Sequence, residues 1–141
     1  MIDLRNVPEV GSEETLARFI LSSRHIRHSD NTIRPDAFVP HPYNDLSVTR
    51  HREATEEELW AVGRAVASLR EKQQLQGRGD VAAMAFVKQG LELHADPVRD
   101  EAGRLDNPNH AVVTGWPNEK DRQKLFALEI AAEAKLVHPP P

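Results

Sequence analysis

The sequence predicts an α+β domain: a small, mostly antiparallel sheet of about four strands with three helices packed on one side. Three observations lead there. Short apolar or β-branched runs of strand length recur along the chain, at Phe19-Ile20-Leu21, Leu46–Thr49, Leu91–Leu93 and Ala111–Thr114. Longer stretches with helical spacing follow capping residues at three places. Strands and helices do not alternate strictly, which argues against a doubly wound parallel sheet.

Residues 1–11 read as an N-terminal tail, 12–137 as the single domain and 138–141 as a C-terminal tail. Ser12 can cap a short helical turn, with Glu13 and Glu14 in its first turn. That turn leads into a strand at about 18–23. Residues 24–45 are rich in turn signals: Asp30-Asn31, Pro35-Asp36, and the prolines flanking His41. A structureless stretch this long is uncommon in a compact domain and often functional. Within it, Phe38 and Val39 are positioned to pin the loop to the core, or to dock a partner together with Tyr43. Leu46–Thr49 alternates apolar and polar, as a half-buried strand does.

Thr55 and Glu58 have capping-box spacing, and Leu59, Val62, Val66 and Leu69 repeat at helical intervals, so a helix is expected over about 56–73. Gln74–Asp80, with two glycines, reads as a loop. Asp80 is placed to cap a helix over 81–89, ended by Gly90. Leu91–Leu93 is a short strand, 97–109 a polar loop or hairpin connection, and Ala111–Thr114 a strand. Trp116-Pro117-Asn118 turns into the last helix, with Asn118 as cap. Its inner face is read as Leu125, Leu128, Ala131, Ala132 and Leu136, widened by Phe126 and Ile130.

The 141 residues contain no cysteine, which excludes disulfides, thiolate metal sites and cysteine nucleophiles. The acidic, polar start lacks the apolar core of a signal peptide, and the longest apolar run is the seven residues Val81–Val87. About 20 are needed to span a bilayer, so a cytoplasmic protein with no membrane partner is expected. A net charge of −4 argues against nucleic acid. Positive charge is nevertheless concentrated between Arg24 and Arg52, where five arginines face three acids and four of the seven histidines lie.

Candidate sites come from that region and one other. Arg24-His25-Ile26-Arg27-His28 offers imidazoles and guanidinia suited to phosphate or carboxylate. Two histidines fall short of a metal ligand set, and the arginines repel a cation, so neither metal nor cofactor is expected. The plain alternative is a solvated polar loop. Arg50-His51-Arg52 follows a strand, as Arg24-His25 does; if those strands are neighbours, the two pairs can converge on one pocket. Otherwise Arg52 and Glu53 simply pair at the surface. His110, behind the turn Asn107-Pro108-Asn109 and ahead of Trp116, is the third candidate, with a structural turn as its alternative. Arg24, Arg27, Arg50, Arg52 and Trp116 are thus the candidate ligand-binding residues, and His25, His51 and His110 the candidate catalytic ones.

Arg78-Gly79-Asp80 and Gly77-Arg78-Gly79 match short motifs by chance; no Walker lysine or serine follows. Nucleophile-elbow, zincin and aromatic-basic RNA-binding patterns are absent from the sequence. Two classes of function stay open. The first is a non-catalytic binding or accessory module acting through protein–protein contact or on a small anionic ligand. The second is a small metal-independent enzyme on a phosphoester or nucleotide-like substrate, with histidine acid/base chemistry and an arginine anion clamp.

Overall fold

A computed structural model of the chain describes residues 7–70, 73–98 and 106–141. In chain order its elements are β1 (Thr15–Ile20), β2 (Ile26–Arg27), β3 (Thr32–Ile33), β4 (Leu46–Arg50), α1 (Glu56–Ser68), β5 (Gly77–Ala82), α2 (Ala83–Val87), β6 (Glu92–Ala95), β7 (His110–Thr114), α3 (Lys120–Glu133) and β8 (Lys135–Val137). The fold is α+β with three α-helices, as expected, and every strand pairing is antiparallel. The main sheet has six strands rather than about four, in the order β6-β7-β4-β1-β5-β8. β2 and β3 form a separate ribbon inside the stretch read as irregular.

The two extra strands are β5 and β8. Sequence reading places a loop across β5 because of Gly77 and Gly79, but both glycines mark close approach: Gly77 to the neighbouring strand β8, Gly79 to side chains packed on the sheet. A Cβ on Gly79 would lie 2.7 Å from Ile33 Cδ1, and one on Gly77 would lie 2.8 Å from the Val137 carbonyl oxygen. Asp80 is therefore a strand residue, and α2 begins at Ala83 without a side-chain cap.

Strand alternation divides the sheet into two faces. One face carries Leu16, Ile20, Leu46, Val48, Val81, Ala111 and Val113, and closes over α2, α3 and the 3-10 turn Pro35–Phe38 in the main core. Phe38 and Phe86 meet there edge to face at 6.4 Å. The other face carries Phe19, which opposes Arg78 across β1 and β5. It is covered by α1: Gly63 lies against the Phe19 ring and Trp60 against Arg78. The helices thus lie on both sides of the sheet, because this second face also has apolar surface to bury.

The last helix is rotated from its expected setting. Gln123, Ala127, Ile130 and Ala131 are buried, while Leu125 and Leu128 are 65% and 54% exposed. Small alanines let α3 approach the Pro35–Phe38 turn closely. Asn118 accepts from Asn44 Nδ2 instead of capping the helix, whose N-cap is Glu119. The capping box of α1 forms as read, with Thr55 Oγ1 accepting from Glu58 N and Glu58 Oε1 from Thr55 N, both at 3.1 Å. Among the described residues no helix is long and apolar enough to cross a membrane.

Candidate functional site: a groove beside a withdrawn arginine

A groove of about 1010 Å³ runs between α1 and the loop 37–45. Its apolar wall is Val62, Ala65 and Val66 of α1 with Leu69 at the helix C-cap, and its floor includes Phe19, Ser47 and Thr49 of β1 and β4. Arg18, His25 and Arg70 line one part of it, and Asn107 and His110 another.

The position of Arg18 follows from the strand register. β1 and β4 pair only at Leu16↔Arg50 and Ala17↔Thr49. Beyond that point the Arg18 side chain takes over the ladder's role. Its Nε donates to the Ala37 carbonyl at 2.9 Å and its Nη1 to the Ser47 carbonyl at 3.0 Å. A guanidinium has five N–H donors, and among the described residues no carboxylate reaches this one. Burial, and secondarily the nearby positive charge of Arg70, push the Arg18 pKa down to about 10. His25 is also held below the ordinary imidazole value, first by burial and then by Arg18, against the opposing pull of Asp36.

At the other part of the groove, Asn107 Nδ2 donates to Thr49 Oγ1 at 3.2 Å, and His110 opposes Thr49 across β4 and β7. His110 Nδ1 donates to the Asp96 carbonyl at 2.9 Å and lies 3.1 Å from Asp96 Oδ2. That fixes the proton on Nδ1 and leaves Nε2 as the basic atom of the neutral ring.

The remaining candidates lie elsewhere. β1 and β4 are indeed neighbours, but they are antiparallel, so the segments following them leave from opposite ends. His25 therefore reaches the groove, while His51 sits beside the start of β1, its backbone N–H donating to the Thr15 carbonyl. His51 Nε2 donates to Asp80 Oδ1 at 3.0 Å. Asp80 also receives Arg78, which reaches Glu56 with both Nη atoms at 2.8 Å and stacks on Trp60 at 4.9 Å. Burial alone would raise the Asp80 carboxyl, but hydrogen bonds from His51 and Arg78 overcome it and hold it below the usual range. This cluster fastens the first turn of α1 to the sheet.

Arg50, 1% exposed, forks onto Glu14 with Nε and Nη2 at 2.7 Å and reaches the Pro8 and Glu9 carbonyls, so it ties residues 8–14 down. Arg24 and Arg27 are exposed, the latter 3.8 Å from Asp30. Arg52 is 3.9 Å from Glu53 and accepts Asn109 Nδ2 at its carbonyl; its own Nη1 is buried without a hydrogen-bond partner among the described residues. Trp116 is buried against Phe126 and donates to the Val113 carbonyl.

Of the sequence candidates, then, the groove brings together His25 and His110. It adds Arg18, Arg70, Thr49 and Asn107. The signal for Arg18 was a charged residue in the middle of the run Leu16–Leu21. Comparison with protein-family models, with curated proteins and with solved structures found no match.

Proposed function

We propose that this chain is a non-catalytic binding module that holds a small organic anion in the groove beside α1. The observation that supports it is the treatment of three arginines of the central strands: Arg50 and Arg78, which are buried, and Arg18, which is half-buried. Arg50 is neutralised by Glu14, and Arg78 by Glu56 and Asp80. Arg18 meets only two backbone carbonyls among the described residues and lines the groove. An unneutralised guanidinium at a concave surface is a ready partner for a carboxylate or phosphate.

Thermal unfolding with a panel of phosphates, nucleotides and carboxylates tests this. A ligand at a hundredfold its Kd adds about 2.7 kcal/mol of stability, a shift of several degrees. The shift should appear in the parent and vanish in Arg18→Gln. The absence of any anion-dependent shift would count against the reading.

A second reading is supported by His110, whose Nδ1 is held by Asp96 while the ring lines the same groove. Such a histidine is placed to move a proton on a bound phosphoester or nucleotide-like anion. Turnover of such a substrate that survives His25→Gln and is lost in His110→Gln would favour this reading over simple binding.

A further inference from the structure

The groove is chemically lopsided, and that narrows its occupant. Building on the anion-binding reading above, we infer that the ligand is an amphipathic organic monoanion, with a carboxylate on the Arg18 guanidinium and an apolar body along α1.

The supply of positive charge is small. Among the described residues Arg18 and Arg70 are the arginines lining the groove, and Asp45 on the same rim offsets one of them. A polyphosphate needs several cations, or a helix N-terminus and a run of backbone N–H groups. α1 instead turns its C-terminal end, Ser68 with the following Leu69 and Arg70, toward the groove, and that end carries the negative pole of the helix dipole. Its N-terminal turn is held away, with Glu56 on Arg78. One negative charge suits this field, whereas three or four do not.

The geometry of Arg18 fits a carboxylate. Nε and one Nη1 hydrogen are committed to the Ala37 and Ser47 carbonyls. The remaining donors lie on Nη1 and Nη2, which form a planar fork that takes two carboxylate oxygens side by side.

Among the described residues the apolar wall has no cover. Val62, Ala65, Val66 and Leu69 follow i, i+3, i+4, i+7 spacing, a continuous stripe on one side of α1. The buried residues Leu59, Trp60, Gly63 and Ala67 form a different stripe. Leu69 stays 58% exposed at the groove's edge. A cavity near 1010 Å³ is large for a lone anion and of the size that encloses drug-like molecules.

Isothermal titration of the full chain with acetate, hexanoate and decanoate, all below micelle formation, tests the assignment. Affinity should rise by about fourfold for each methylene buried, and acetate should bind too weakly to measure. Methyl decanoate, inorganic phosphate and ATP serve as the contrasting probes. Arg18→Gln should weaken decanoate at least about tenfold, as loss of a charged hydrogen-bonded pair does. Arg70→Gln and Leu69→Asp change exposed side chains and keep the test sound if Arg18→Gln does not fold; each should weaken decanoate.

ATP or phosphate binding more tightly than decanoate, and lost in Arg18→Gln, would overturn the ligand class but leave the anion site standing. Methyl decanoate binding as tightly as decanoate would overturn the head-group assignment. Unchanged decanoate affinity in both Arg70→Gln and Leu69→Asp would overturn the location. No binding by any probe would remove both this inference and the anion-site reading.

Discussion

Gln123 is 0% exposed, yet it is polar. Its Oε1 accepts from His41 N at 2.9 Å, and its Nε2 donates to the Tyr43 carbonyl at 3.2 Å and the Pro117 carbonyl at 2.7 Å. One side chain therefore ties the rim of the groove to α3 and to the turn that precedes it. Gln123→Leu keeps the bulk and removes all three bonds. His41 and Tyr43 lie on an exposed loop and can rehydrate, so the net value of each bond, about 1 kcal/mol, is the appropriate one. The loss should be about 3 kcal/mol, or about 10 °C in Tm for a domain of this size. Urea unfolding followed by circular dichroism measures it. Gln123→Glu separates the roles: it keeps the acceptor for His41 but sets a carboxylate against two carbonyls. It should be less stable than Gln123→Leu at pH 7 and recover in part on acidification, since protonation restores a donor and burial favours the neutral acid. If Gln123→Leu unfolds within about 0.5 kcal/mol of the parent, and Gln123→Glu shows no recovery, Gln123 does not organise the rim and the reasoning is refuted.

Acid should act through Glu14, Glu56 and Asp80, whose carboxyls are all held below their ordinary values. For Glu14 and Asp80, burial pushes the other way but is outweighed by bonds from Arg50, and from His51 and Arg78; for Glu56 the bond from Arg78 is the largest influence. Each group's contribution is present above the unfolded pKa near 4 and is lost as pH falls through the lower folded one, so the urea midpoint should drop below about pH 4; a midpoint that rises on acidification would contradict this. His25 is depressed by burial and by Arg18, and an anion on Arg18 would favour its charged form. Binding should then take up a proton, with affinity rising from about pH 7 to about 5.5, which calorimetry in buffers of different ionisation heat detects and His25→Gln removes. The setting of α3 makes Ile130→Ala cost about 3 kcal/mol and Leu128→Ala less than about 0.5 in chemical denaturation; equal losses would return the helix to the orientation read from sequence.

What was legible in the chain was local. The Thr55–Glu58 capping box announces α1 because both partners lie within one turn. The strands Leu46–Arg50 and His110–Thr114 are visible because their β-branched residues prefer a pleated surface in their own right. β5 was hidden because its glycines answer to Ile33, Phe38 and the Val137 carbonyl, all distant in sequence. The face of α3 was misjudged for a similar reason: leucines weigh most in a helical pattern, but the close approach of the Pro35–Phe38 turn selects Gln123, Ala127 and Ala131. At the site, His25 and His110 stand out by residue type alone. Arg18 does not, since only the short β1–β4 ladder shows that its side chain fills a gap between strands. The notion that Arg24-His25 and Arg50-His51 converge required strands leaving in the same direction, and register, not composition, decides that.

The placement of the groove follows from how the two faces of the sheet are closed. On one face, two helices and a 3-10 turn press apolar side chains together in a continuous core. On the other, α1 is the helix in place. At thirteen residues it is about 20 Å long, less than the width of six strands spaced about 4.8 Å apart. It is fastened over β1 and β5 by Arg78, Trp60 and Phe19, so Ser47 on β4 and His94 on β6 remain exposed. The groove is the boundary of that cover. A boundary needing only stability would be served by an acid opposite Arg18, as Glu14 serves Arg50, because a charge left, among the described residues, with carbonyls alone sacrifices most of its possible pairing energy. That sacrifice falls at the gap where β1 and β4 part, next to the half-buried stripe of α1. The same position that leaves Arg18 without an acid among the described residues leaves its remaining donors to the anion we propose.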